Sequence, residues 1–122
     1  PTESPVLSGG KPSPHKIQGI GAGFIPKNYD SKIVDAVEQV SSEESLITAR
    51  EVIKKEGIPV GISSGAAIAV GLRIAAKAEN AGKKIVVIVP SYTERYLSTV
   101  LAQAEREQAE SLPVASIDEK YL

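Results

Sequence analysis

The chain has 122 residues, 42% of them hydrophobic and 24% charged, the make-up of one soluble globular domain or of part of one. Its formal net charge of -1, with acids and bases interleaved, offers no broad positive field for nucleic acid and no basic amphipathic face for a membrane. With no cysteine and a single histidine, His15, a disulfide framework, a thiolate metal site and a histidine cluster are all excluded.

No apolar run approaches the roughly 20 residues of a membrane helix, and no charged segment followed by an apolar one opens the chain. A cytoplasmic location is the default expectation. Pro1 stands where an initiator would, and the sequence holds no methionine, which points to processing or fragmentation. Below about 150 residues a chain buries a modest share of its surface, and the strands expected here are too few to close a sheet. A partner segment is therefore expected.

Residues 1–17 carry four prolines and the pair Gly9 and Gly10, a stretch that resists regular structure. Residues 16–24, KIQGIGAGF, alternate Gly19, Gly21 and Gly23 with apolar or small residues, as in a strand closely approached by another backbone or a ligand. Pro26, Asn28 and Asp30 make turns. Residues 33–40 have β-branched side chains at 33, 34, 37 and 40, consistent with a short strand. Ser41 with Glu44 is a capping box, and Leu46, Ala49, Val52 and Ile53 share one face before Gly57, predicting a helix over 43–56.

Residues 58–62 then read as a short strand, Ser63-Ser64-Gly65 as a tight turn, and the alanine-rich run 66–78 as a helix closed by Asn80, Ala81 and Gly82. Residues 84–89, KIVVIV, are apolar at every position after the first, the pattern of a parallel strand buried on both faces. Pro90 ends it, a helix over 94–109 follows, and Pro113 introduces a loosely held tail. Alternating strand and helix predicts an α/β fold with a mostly parallel twisted sheet and helices on its faces. Ligands of such sheets bind at the carboxyl ends of strands, which places residues 61–65 and Pro90 with Ser91 at the candidate site.

The turn at Ser63 and Ser64 has two readings. A seryl hydroxyl there is an ordinary N-cap, or it serves a ligand's heteroatom at a helix N-terminus. Lys11, His15 and Lys16, on a proline-stiffened loop, form either a plain solvated loop or a compact positive edge able to receive a carboxylate. No serine lies in a nucleophile elbow and no phosphate-binding glycine motif is present. Glu94 and Arg95 read as the polar start of a helix.

Three blocks together, SPVLSGGKPSPHKIQGIGAGFIP at 4–26, VGISSGAA at 60–67 and IVPSYTERYLST at 88–99, resemble the cysteine synthase (O-acetylserine sulfhydrylase) family of fold type II pyridoxal-phosphate enzymes. The resemblance runs from about residue 4 to residue 99 and implies the large C-terminal domain of such an enzyme. Residues 1–17 would be a docking loop leading into the core, 18–110 the βα core and 111–122 the tail. The implied cofactor is pyridoxal 5'-phosphate, an electron sink for β-elimination of acetate from O-acetyl-L-serine and addition of sulfide to give L-cysteine.

The resemblance assigns the cofactor's ring nitrogen to Ser63, with Ser64 as the fallback. It sets Gly19, Ile20 and Gly21 on the segment passing beside the cofactor, where glycine lets backbone approach closely, and Pro90 beside the ring. Lys11, His15 and Lys16 correspond to the loop that engages the C-terminal peptide of serine acetyltransferase. It also implies a homodimer of the complete enzyme. The family's Schiff-base lysine lies in a Ser-Val-Lys-like context that this sequence lacks, and the phosphate and substrate loops have no match either. No catalytic residue is therefore expected in this chain, which would act only with the N-terminal part of the same enzyme. A non-catalytic acetyltransferase-binding module, or a relative such as cystathionine β-synthase or an O-phosphoserine-using sulfhydrylase, is the alternative. Where the family usually has PSFGERYLST, Tyr92 and Thr93 replace Phe and Gly. A turn requiring positive φ would tolerate Thr93 poorly, so negative φ or a rearranged turn is expected.

Overall fold

A computed structural model describes residues 1–118 and 120. Three α-helices carry it: α1 (Ser42–Glu56), α2 (Ile62–Ala75) and α3 (Gln103–Glu110). Short 3-10 turns lie at Val6–Ser8, Ala78–Asn80, Thr93–Tyr96 and Val100–Ala102.

Helix α1 forms where local chemistry dictates. Ser41 accepts a hydrogen bond from the Glu44 N–H at 3.0 Å, and Glu43 and Glu44 favour the positive end of the helix dipole. Gly57, at φ 68°, turns left-handed and donates to the Ile53 carbonyl, closing the helix. The reciprocal half of the capping box is replaced by tertiary pairing: the Glu44 carboxylate lies 3.6 Å from Arg73 of α2.

The two long helices cross closely. A Cβ on Gly65 would overlap the Ser45 carbonyl and stand 2.8 Å from the Ala49 methyl. Around this crossing Leu46, Ala49, Val60, Ile62, Ala66 and Ala69 build the core, joined by Ile17, Val40, Tyr96 and Leu101. Arg50 seals the far end, its guanidinium donating to the Leu101 carbonyl at 3.0 Å and to that of Val100.

The N-terminal loop is tied to the start of α1. The Ser42 N–H donates to Glu3 at 2.8 Å, and Thr2 Oγ1 donates to the same carboxylate at 3.1 Å. Partial burial of Glu3 works against its charge, but hydrogen bonding from the Ser42 hydroxyl and N–H outweighs it. The Glu3 pKa is lowered from 4.5 to about 2.

Several predicted elements differ. Residues 16–24, 33–40, 58–62 and 84–89 form no strand, and β-pairing among the described residues is limited to one antiparallel bridge, Val60 with Tyr92. Strand geometry needs a neighbouring ladder, and no segment among the described residues pairs with 84–89, where Val86 and Ile88 are 86% and 75% exposed. The Gly19, Gly21 and Gly23 dihedrals are left-handed, which itself precludes a regular strand. Helix α2 starts at Ile62, four residues before the alanine run, and ends at Ala75 rather than Ala78. The helix predicted over 94–109 breaks into two 3-10 turns before α3, because Thr99 is extended and its hydroxyl donates to the Tyr96 carbonyl while accepting from the Leu101 N–H. At Thr93 the turn adopts negative φ, since positive φ among the described residues occurs only at glycine.

Gly65→Ala should destabilise the folded protein by about 2–3 kcal/mol, because the added methyl meets backbone at a close crossing; urea denaturation of the variant measures this. Glu3 is depressed in the fold, so its contribution is present above pH 4.5 and is lost as pH falls through about 2. With solvent screening it amounts to roughly 1 kcal/mol. Glu3→Gln should lower stability by that amount at neutral pH and flatten this acid limb in denaturation curves taken across the range.

Candidate functional site

The N-terminus of α2 is the best-defined polar centre of the fold. Gly61 is its N-cap and carries no side-chain cap, so the ordinary N-cap reading of the two serines does not hold. They sit inside the first turn instead. A Cβ on Gly61 would collide with Ser91 Oγ and the Tyr96 ring, and the missing side chain lets the 90–96 segment close over the helix start.

That segment is clamped from several sides. The Ser91 carbonyl accepts from the Gly61 N–H at 2.8 Å and from the Ser64 hydroxyl at 3.1 Å. Ser91 Oγ pairs with the Tyr96 hydroxyl at 2.9 Å in a buried contact. Thr93 adds what a glycine could not: its hydroxyl donates to the Val60 carbonyl at 2.8 Å, while its N–H donates to the Pro59 carbonyl at 2.7 Å. The Tyr92 and Thr93 departures thus leave the loop pinned against α2.

The clamp separates two adjacent, chemically identical side chains. Ser64 is fully buried with its hydroxyl committed to Ser91. Ser63 is 7% exposed, and its hydroxyl makes no hydrogen bond among the described residues. It opens onto a recess of about 460 Å³ lined by Ile20, Val40, Ala66, Ala67 and Ile88 among others. Gly19, with φ 97°, passes so near that a Cβ there would lie 3.9 Å from Ser63 Oγ. A second recess of about 340 Å³ continues from Gly19, Ile20 and Gly21 to Leu7 and Phe24. The geometry brings Ser63, Gly19, Ile20 and Gly21 together; Pro90 is exposed beside Ser91 and lines neither recess.

The basic loop resolves differently. Lys11 and Lys16 are exposed, whereas His15 is half-buried, with Nδ1 accepting from the Ile17 N–H at 3.2 Å and Nε2 facing the Gly21 carbonyl at 3.1 Å. A recess of about 570 Å³ beside it contains Lys16 and Arg50 together with Glu3 and Glu43, so the expected positive edge is a mixed one. Sequence reasoning missed Arg50 and Ser42, whose hydroxyl accepts from the Lys16 N–H at 2.9 Å; only the capping position of Ser41 hinted that this helix start had partners. No group of three acidic, histidine or cysteine side chains suited to a metal occurs among the described residues, and no helix there is long and apolar enough to cross a membrane.

A free hydroxyl at an apolar recess, next to backbone kept bare by glycine, fits a flat heteroaromatic cofactor that needs one hydrogen bond at its ring nitrogen. Comparison with known proteins points the same way. The family model described as pyridoxal-phosphate dependent enzyme matches residues 1–91. A cysteine synthase of Haemophilus influenzae is 59% identical over 107 residues, 83% of this chain and 34% of that protein. Cysteine synthase A of Escherichia coli K12 is 53% identical over 107 residues, 83% of this chain and 33% of that protein. Among solved structures, a cysteine synthase of Entamoeba histolytica superposes with a TM-score of 0.83 at 47% identity, covering 96% of this chain and 32% of that one. An O-acetylserine dependent cystathionine β-synthase of Helicobacter pylori gives 0.71 at 40% identity, covering 81% and 32%. The chain spans about a third of the length of the curated relatives it matches. Its backbone course is that of an α/β fold type II enzyme, and the chain belongs to the pyridoxal-phosphate dependent enzyme family.

Proposed function

We propose that this chain is the C-terminal part of a cysteine synthase, which makes L-cysteine and acetate from O-acetyl-L-serine and sulfide. The observation carrying the reading is the Ser63 hydroxyl, unpartnered at the recess beside Gly19 while its neighbour Ser64 is consumed by Ser91. Bound pyridoxal phosphate supplies the electron sink for removing the α-proton and expelling the β-substituent.

The residues of this chain hold and orient. Ser63 meets the ring nitrogen with a neutral hydroxyl, which, unlike a carboxylate, does not favour protonation there. Gly19, Ile20 and Gly21 form the wall on one side of the site, and Pro90 and Ser91 its edge. The lysine that binds the cofactor and moves the proton, the phosphate loop and the substrate-carboxylate loop come from the N-terminal part of the same enzyme, and without that part the chain is inactive. Residues 84–89, exposed at Val86 and Ile88, then become a strand of a mostly parallel twisted sheet with helices on both faces. Lys11 and Lys16 receive the C-terminal carboxylate of serine acetyltransferase, and the complete enzyme is a cytoplasmic homodimer. The likeness to the Helicobacter pylori enzyme supports a second reading, in which the sulfur donor is a larger thiol.

Mixing the chain with an N-terminal segment bearing the lysine, in the presence of pyridoxal phosphate, should yield visible cofactor absorbance and sulfide-dependent cysteine formation. An assembled complex showing neither would refute the assignment. In that complex Ser63→Ala should shift the cofactor spectrum and lower kcat by roughly tenfold or more with little change in melting temperature. Ser64→Ala should instead cost about 1–2 kcal/mol of stability, because it strips a partner from the buried Ser91 carbonyl.

A further inference from the structure

His15 lies on the basic loop, yet both its ring nitrogens are used within the chain. The Ile17 N–H points at Nδ1 from 3.2 Å, so Nδ1 must offer a lone pair. The proton of a neutral imidazole then sits on Nε2, which donates to the Gly21 carbonyl at 3.1 Å. Among the described residues this is the only side-chain hydrogen bond to residues 18–24.

Both ends of the connection are fixed. Ile17 is fully buried, and the Lys16 N–H donates to Ser42 in the first turn of α1. At the other end Gly21 has φ 63°, and a Cβ there would stand 2.7 Å from Nε2, so only glycine permits this approach. Two residues earlier Gly19 passes Ser63, and Ile20 between them lines both recesses. The imidazole is thus the strut that sets how far this segment stands from Ser63.

We infer that His15 is a positioning residue: its imidazole, anchored through Ile17 and α1, holds the Gly19–Gly21 backbone against the Ser63 recess. The catalytic consequence rests on the reading of that recess as the cofactor site. It also separates the three residues of the basic loop, leaving Lys11 and Lys16 to face a partner while His15 faces inward.

Two substitutions divide the imidazole's bonds. In His15→Gln the amide nitrogen takes the place of Nε2 and keeps the bond to Gly21, while the acceptor for Ile17 is lost. In His15→Asn the amide oxygen takes the place of Nδ1 and the reach to Gly21 is lost. Backbone 15N relaxation on the complete protein without cofactor should show the order parameters of residues 18–23 falling from about 0.85 to below about 0.6 in His15→Asn and staying near wild-type in His15→Gln. In the holoenzyme, His15→Asn should shift the cofactor absorption and lower kcat by about tenfold or more, with His15→Gln restoring both. Equal order parameters in the two variants, or a greater effect in His15→Gln, overturns the positioning role. A wild-type protein that fails to take up the cofactor would sink the enzyme reading, while the relaxation result still decides the strut.

Discussion

The crossing of α1 and α2 at Gly65 is the constraint on which the remaining geometry depends. Because no Cβ stands between α2 and the Ser45 carbonyl, the two axes come close enough for Ala49, Ala66 and Ala69 to pack as small residues without a gap. This fixes the rotation of α2 about its axis. Rotation in turn decides which first-turn serine faces the 90–96 segment and which faces the recess. Sequence position alone leaves that choice open, since Ser63 and Ser64 are adjacent and alike.

The second support is polar. Unpaired groups at a helix start must find partners, and here tertiary contacts provide them. Ser41 caps α1, Glu3 accepts from Ser42, and the Ser42 hydroxyl accepts from Lys16. The loop preceding the glycine segment is thereby fastened to a helix end, and the His15 imidazole carries that fixity across to Gly21. On the other side, the Ser91 carbonyl serves the Gly61 N–H and the Ser64 hydroxyl together, while Tyr96 secures Ser91. Two loops distant in sequence are therefore held, one against the start of α1 and the other against the start of α2, and the recess at Ser63 lies between α2, Ile20 and residues 85–88.

The apolar segments away from this centre behave in the opposite way. Ile33, Val86 and Ile88 are largely exposed, although their composition suits burial. A strand becomes a strand through hydrogen bonds to a neighbour, and a continuous apolar run such as 84–89 implies covers on both faces. Helices, whose hydrogen bonds are internal, need no such neighbour.

What the sequence determined by itself was local. Ser41, Glu44 and Gly57 delimit α1 to within a residue, because capping and left-handed closure are written in a few adjacent side chains. The three blocks at 4–26, 60–67 and 88–99 carried the family, since such a combination in order is specific where each alone is weak. Tertiary structure decided what depends on distant atoms. A carbonyl 27 residues away distinguishes Ser64 from Ser63. Thr99 breaks the last predicted helix by bonding its own neighbourhood, a competition that helical periodicity does not register. His15, which reads as a surface cation on a basic loop, turns inward because Ile17 is buried and Gly21 lacks a side chain. Periodicity reports which faces are apolar, whereas hydrogen-bond partners are settled only when the chain returns on itself.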